Sequence, residues 1–330
     1  MSNDESAGRG RSWFKYGCLG CIAVLILLLV GAGAIMVIAL MLGPPEEKVE
    51  RLRLARELPA APRSSPGDAL GDRPAEMAPI GELVPLDAVA GRVVLGLSEG
   101  SFRIVPAPPG EPIRVEGRYD AGMYELAESF ERQDDGGWVY RVSFDRHVSW
   151  IRSLFNEGEE DNRIKIAIPS GMPFTLEGRI GIGESILELG GLSLRAVDLE
   201  LGIGAHELRF GEPTSSPMER FTLAAAIGEL RVSGLGNAGP QDVSIRHRIG
   251  EVDIDLRGEW QRDADIAIRC GIGECAVSLP PDVAVELLST DVGVGEVDLS
   301  GLDRLPPPDA GTPTLRLDLS GKVGEVRISQ

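Results

Sequence analysis

Through the C-terminal half of the chain, apolar and polar residues alternate in short runs that break at a Gly-Ile-Gly-Glu phrase or a near copy of it. Around Gly250 the apolar residues are Val243, Ile245 and Ile249, then Val252, Ile254 and Leu256; around Gly273 they are Ile266, Ile268 and Ile272, then Val277 and Leu279. Alternation with period two is the pattern of half-buried strands and excludes a helical bundle. The phase slips by one residue across the Gly-Glu pair. The pair therefore predicts a corner or bulge, where glycine's freer backbone is needed.

The second glycine of the phrase falls at Gly183, Gly204, Gly228, Gly250, Gly273, Gly295 and Gly324, in steps of 21, 24, 22, 23, 22 and 29 residues. A near-constant period of this length predicts stacked copies of one supersecondary unit. About 22 residues at roughly 3.3 Å each make a perimeter of about 70 Å, one turn of a parallel β-helix. The expected fold is all-β: a single-stranded parallel β-helix, or solenoid, preceded by one transmembrane helix.

Ahead of the repeats, strand-like runs at Phe102–Val105, Ile113–Val115, Trp138–Phe144 and Ile164–Ile168 predict first turns or an N-terminal cap over 89–170, with the repeats filling 171–330. Between them, Val148 to Phe155 clusters Trp150, Ile151, Leu154 and Phe155 before an acidic run, and reads as a short helix or lid over an open core end. The alternative is an exposed apolar loop that touches membrane or a partner. At the other end the chain stops soon after Gly324-Glu325-Val326-Arg327-Ile328. Nothing follows to cover that last strand, so its edge is expected to be open to pairing.

The uncharged stretch 17–43 exceeds the roughly 20 apolar residues a membrane-spanning helix needs and is longer than the core of a signal peptide. Residues 1–16 then form a cytoplasmic tail, and 44–88 a juxtamembrane helix followed by a Pro/Ala/Gly-rich tether to the domain at 89–330. Basic residues lie on both sides of the span, so the positive-inside count does not choose an orientation. The short N-terminal tail favours an extracytoplasmic domain.

The net charge of −18 is not evenly spread. Residues 1–43 carry three basic and two acidic side chains, which leaves −19 on the remainder. So acidic a surface repels phosphate backbones, and nucleic acid is excluded as a partner. Divalent cations or basic partners remain compatible. Glu184, Glu229, Glu251, Glu274, Glu296 and Glu325 share the offset after the repeat glycine, with Ala205 the exception. Stacked about 4.8 Å apart, they form an acidic ladder. Solvent and the corner's own N–H groups relieve its repulsion, or Ca²⁺ or Mg²⁺ does so as a weak metal site. No catalytic residues and no cofactor are expected.

Other chemical patterns match by letters only. Ser98 sits in a Gly-x-Ser-x-Gly string that leads into a strand rather than a helix. Gly234 to Gly239 resembles a dinucleotide fingerprint but is followed by Pro240. Cys18 and Cys21 lie one helical turn apart with no further zinc ligands nearby. Cys270 and Cys275 flank the Gly273 corner and read as core thiols, although an external compartment also permits a disulfide. His247 shares its offset with Cys270 in the next repeat, which makes the two expected neighbours.

From about Val89 to Gln330 the chain resembles the bacterial toast-rack ("putative adhesin") β-helix domain family of unknown function, related to the C-terminal domain of LiaF-like cell-envelope stress proteins. The residues that carry the likeness are Gly100 to Val105, Ile113 to Gly117, Ile166 to Gly171 and the Gly-x-Gly-Glu repeats. The resemblance implies a β-helix, an envelope location and no catalytic site. The expected protein is a single-pass protein of the bacterial cytoplasmic membrane, held in the bilayer by residues 17–43. It displays a domain that binds or scaffolds an envelope protein or polysaccharide, in stress sensing or adhesion. A self-assembling scaffold joined through the C-terminal strand is the alternative, with homo-oligomers. A polysaccharide-acting enzyme using Arg246 and Arg269 on successive repeats is the remote one.

Overall fold

A computed structural model describes residues 91–134, 136–147, 162–216, 218–302 and 311–330, all within one compact unit. The expected membrane helix, the tether, Cys18, Cys21 and the Val148–Phe155 segment lie outside these residues. Among the described residues no helix is long and apolar enough to cross a membrane.

The unit is all-β, a sheet of twelve strands: β1 (Gly91–Ala107), β2 (Arg114–Arg118), β3 (Tyr124–Arg132), β4 (Trp138–Arg146), β5 (Arg163–Pro169), β6 (Phe174–Glu188), β7 (Leu194–Arg209), β8 (Arg220–Ser233), β9 (Asp242–Asp255), β10 (Ala264–Ser278), β11 (Ala284–Asp298) and β12 (Thr314–Ser329). From β6 to β10 each strand pairs in parallel with its successor, and equivalent residues face one another: Gly183 with Gly204, Gly204 with Gly228, Gly228 with Gly250, Gly250 with Gly273. The four strand-like runs seen in the sequence ahead of the repeats are strands. β1 also joins the same register, with Gly100 opposite Gly183. On its other side β1 is flanked by β4 along Gly91–Leu97 and by β5 along Ser101–Ala107. β3 and β2 close that end in antiparallel pairs with β4 and β5. Aromatic rings fill the core beneath them: Phe144 stacks on Tyr124 at 5.1 Å and meets Tyr119 edge-on at 5.3 Å.

The phase slip at each corner is a reversal of which residues face the core. In β9, Val243, Ile245 and His247 are buried before the corner; after it Val252 and Ile254 are, so the inward positions jump by five residues across Gly250. A jump of odd length has to turn one residue over, and the glycine does so at a φ of 130°. Ile249 and Ile272, which belong to the alternating runs by sequence, are consequently turned outward.

The C-terminal end departs from the expectation of an open last strand. The order is β10-β12-β11: the final strand inserts between its two predecessors, with Gly324 opposite Gly273 on one side and Gly295 on the other. Val326 is 2% exposed and Ile328 is fully buried. A charge at either site therefore strikes the core rather than a free edge. The outermost strand is β11, where Leu288, Val294 and Val297 are exposed.

Cys270 and Cys275 face each other across the Gly273 corner, with a Cα–Cα distance of 6.4 Å, and are joined in a disulfide; the reading of the pair as thiols is thereby corrected. His247 pairs in register with Cys270, as its offset predicted. Closing so short a loop removes unfolded-state freedom worth about 2 kcal/mol. The double variant Cys270→Ser/Cys275→Ser is expected to unfold in urea with that much less stability, and reductant should leave the double variant unchanged while lowering the wild type to match.

Candidate functional site

The corner stacks three columns of like residues, and their chemistry differs sharply from one column to the next. The glycine column runs Gly100, Gly183, Gly204, Gly228, Gly250, Gly273, Gly324, Gly295, in the order of the strands. Each successive glycine lies on its neighbour's carbonyl: a Cβ at Gly250 would sit 1.9 Å from the oxygen of Gly228, and one at Gly273 1.9 Å from that of Gly250. At the start of the column Asn162 supplies the carbonyl, which accepts a 2.7 Å hydrogen bond from the N–H of Ser101. Gly100 is a member that the repeat phrase did not reveal.

One residue before it stands Ile182, Ile203, Ile227, Ile249, Ile272, Val323 and Val294, each stacked on the next and between 43% and 68% exposed. With strands about 4.8 Å apart, seven such side chains form a continuous apolar line roughly 29 Å long. Scattered surface isoleucines call for no explanation, but a line of them does.

One residue after the glycine runs the predicted glutamate ladder, Glu184, Ala205, Glu229, Glu251, Glu274, Glu325, Glu296, in register. Arg327 pairs with Glu325 and lies 3.4 Å from Glu274, which relieves that end. Glu184, Glu229, Glu251 and Glu296 make no ion pair among the described residues. Nor is there, among those residues, any group of three or more His, Cys, Asp or Glu side chains placed to hold a metal ion. Where Ala205 interrupts the ladder a shallow groove of about 280 Å³ opens, walled by Glu184, Glu207, Glu229 and Arg231.

On the other side of the isoleucines the charge is reversed. Arg246, Arg248, Arg269 and Lys322 are all exposed there. Arg246 and Arg269 are opposite one another, as their offsets implied, and Arg269 lies 3.6 Å from Asp318. Arg246, Arg248 and Lys322 make no ion pair among the described residues. On β9 and β12 the face therefore reads cation, isoleucine or valine, glutamate; at the Arg248 offset the other strands carry Gly181, Gly202, Ala226, Gly271 and Gly293.

Beneath the corner lie buried polar residues. Ser185 and His206 are stacked neighbours, and Ser185 Oγ lies 2.8 Å from His206 Nδ1. Both are buried, and His206 Nε2 has no hydrogen-bond partner among the described residues. Burial, and then the neighbouring His247, push the His206 imidazole down to about 4. Burial also lowers His247, against a hydrogen bond that its imidazole donates to the Gly228 carbonyl. Ser185 and His206 also line the floor of the groove at Ala205. Ser98 is occupied, donating to the Phe144 carbonyl at 2.7 Å.

Comparison with known proteins adds little to this geometry. No family model matches the chain, and no curated protein does. A solved structure described as a "putative cell adhesion protein" from Clostridium sporogenes is similar at 16% identity, over 74% of this chain and 95% of that one, with a TM-score of 0.39.

Proposed function

We propose that this is a binding or scaffolding module of the bacterial cell envelope. In this reading the parallel ladder is one face of a single-stranded β-solenoid, anchored in the cytoplasmic membrane by residues 17–43 and displayed on its outer side. The observation that carries it is the exposed isoleucine column. An acidic domain that leaves seven aliphatic side chains in line on its surface keeps them there for contact. The Cys270–Cys275 bond supports an oxidising compartment, since disulfides persist outside the cytosol. The sequence likeness to toast-rack domains supports the envelope.

Added protease is expected to shave the domain from spheroplasts of a bacterium expressing the full chain, while the N-terminal fragment stays in the alkali-washed membrane pellet. A chain that alkali releases, or one digested only after the membrane is opened, would overturn the anchored, outward-facing reading. A second reading, a scaffold growing by strand pairing, moves from β12 to β11, because β11 has no described strand on its outer side.

A further inference from the structure

We infer that the corner face is an isologous interface, and that its occupant is a second copy of this chain, aligned parallel to the first with the two-fold axis along the isoleucine column. The inference rests on reading this face as a contact surface and names its partner. Two features select a self-partner of this geometry. The face is apolar along its centre, from Ile182 to Val294, so it is self-complementary in shape and chemistry along one line. Its flanks are of opposite charge, Arg246, Arg248 and Lys322 on one side and Glu229, Glu251 and Glu296 on the other, none with an ion pair among the described residues.

Symmetry then fixes the arrangement. A two-fold axis across the column would lay glutamates over glutamates and arginines over arginines, and like charges that close repel. A two-fold axis along the column exchanges the flanks instead. Every strand then faces its own equivalent: the aliphatic column lies over itself, and the cations of β9, β10 and β12 in each copy lie over the glutamate side of the other. At β9, Arg248 of one copy comes to the Glu251 side of the next, and at β12 Lys322 comes to the Glu325 side. A closed pair of this kind also ends association at two copies, because both faces are consumed. It is distinct from growth at the β11 edge, which leaves a free edge at each addition.

The test uses the full chain in detergent, with Cys18 and Cys21 replaced by serine. Single cysteines replace Ile182, Ile249 or Val323, whose exposed side chains make the substitutions compatible with folding, checked by thermal melting. The expected result is an oxidised dimer from each of the three variants separately, and no cross-link when the Ile182→Cys and Val323→Cys chains are mixed beyond what each forms with itself. Cross-linking at Ile249 with strong mixed Ile182–Val323 dimers would show the axis running across the column and overturn the arrangement. A monomer with no cross-link at any position, up to about 100 µM, where even weak specific pairs form, would overturn the self-partner altogether. Charge supplies a second readout: Arg248→Glu should weaken the dimer about tenfold, and Arg248→Glu/Glu251→Arg should recover it, since the double exchange restores opposite signs. Because purified chain is used, the outcome is independent of where the domain resides in the cell.

Discussion

Replacing Gly250 by alanine is expected to cost more than about 4 kcal/mol, enough to leave little folded protein. Two effects combine. The residue sits at φ 130°, where an L side chain is strained, and its Cβ would lie 1.9 Å from the Gly228 oxygen and 2.9 Å from its carbonyl carbon. The obstacle is backbone, held in register from both sides, so it has no rotamer by which to yield. Two controls separate the causes. Gly110 also has a positive φ, 82°, but open space around its Cα, so Gly110→Ala isolates the conformational strain at about 1 kcal/mol. Gly211 has open space and no such backbone angle, and Gly211→Ala should be close to neutral. Denaturant unfolding of the three variants measures the difference; equal costs at Gly110 and Gly250 would mean that the columnar contact does not matter.

Lowering the pH from 7 to about 4.5 should destabilise the domain through the buried imidazoles. His206 is held neutral in the fold, down to about 4, chiefly by burial and then by His247, whereas an unfolded histidine takes up its proton near 6.5. The unfolded state therefore binds more protons over this window, and the stability present above pH 6.5 is lost as the pH falls toward 4. The shift at His206 is worth about 2 to 3 kcal/mol. His247, lowered in the same direction, adds to it. His206→Gln keeps a hydrogen-bonding side chain beside Ser185 and removes the titration. Its stability should be lower at pH 7 yet much flatter with pH, and a wild-type slope that survives both His206→Gln and His247→Gln would show that carboxylates, not imidazoles, govern this range.

Much of the fold was legible because a parallel in-register ladder copies one local pattern. The corner at Gly250, the glutamate register and the pairing of His247 with Cys270 all followed from equal offsets. The outward isoleucines were hidden by the same alternation that revealed the strands. Ile249 continues the parity of Val243 and Ile245, and only the reversed glycine shows that the parity ends there. Charge on either side of the column was visible as Arg246, Arg248 and Glu251, but its meaning required knowing that the residue between points to solvent. The strand exchange at the C-terminus also left a mark in the sequence. The step from Gly295 to Gly324 is 29 residues where the others are 21 to 24, and the added length lets the chain return past β11 to its place beside β10.

That exchange has a bearing on how the domain is made. A chain emerging from its N-terminus lays down β6 to β10 each against a finished neighbour, but β11 arrives before the strand that will separate it from β10. For as long as the last residues are held by the machinery of synthesis or export, β11 has only the wrong strand to pair with or none, and an unpaired edge of this kind invites misassembly. Placement of β12 between β10 and β11 is the event that completes the sheet. Losing the final segment to a premature stop or a protease would thus remove two strands' worth of order, although only one strand's worth of sequence had gone.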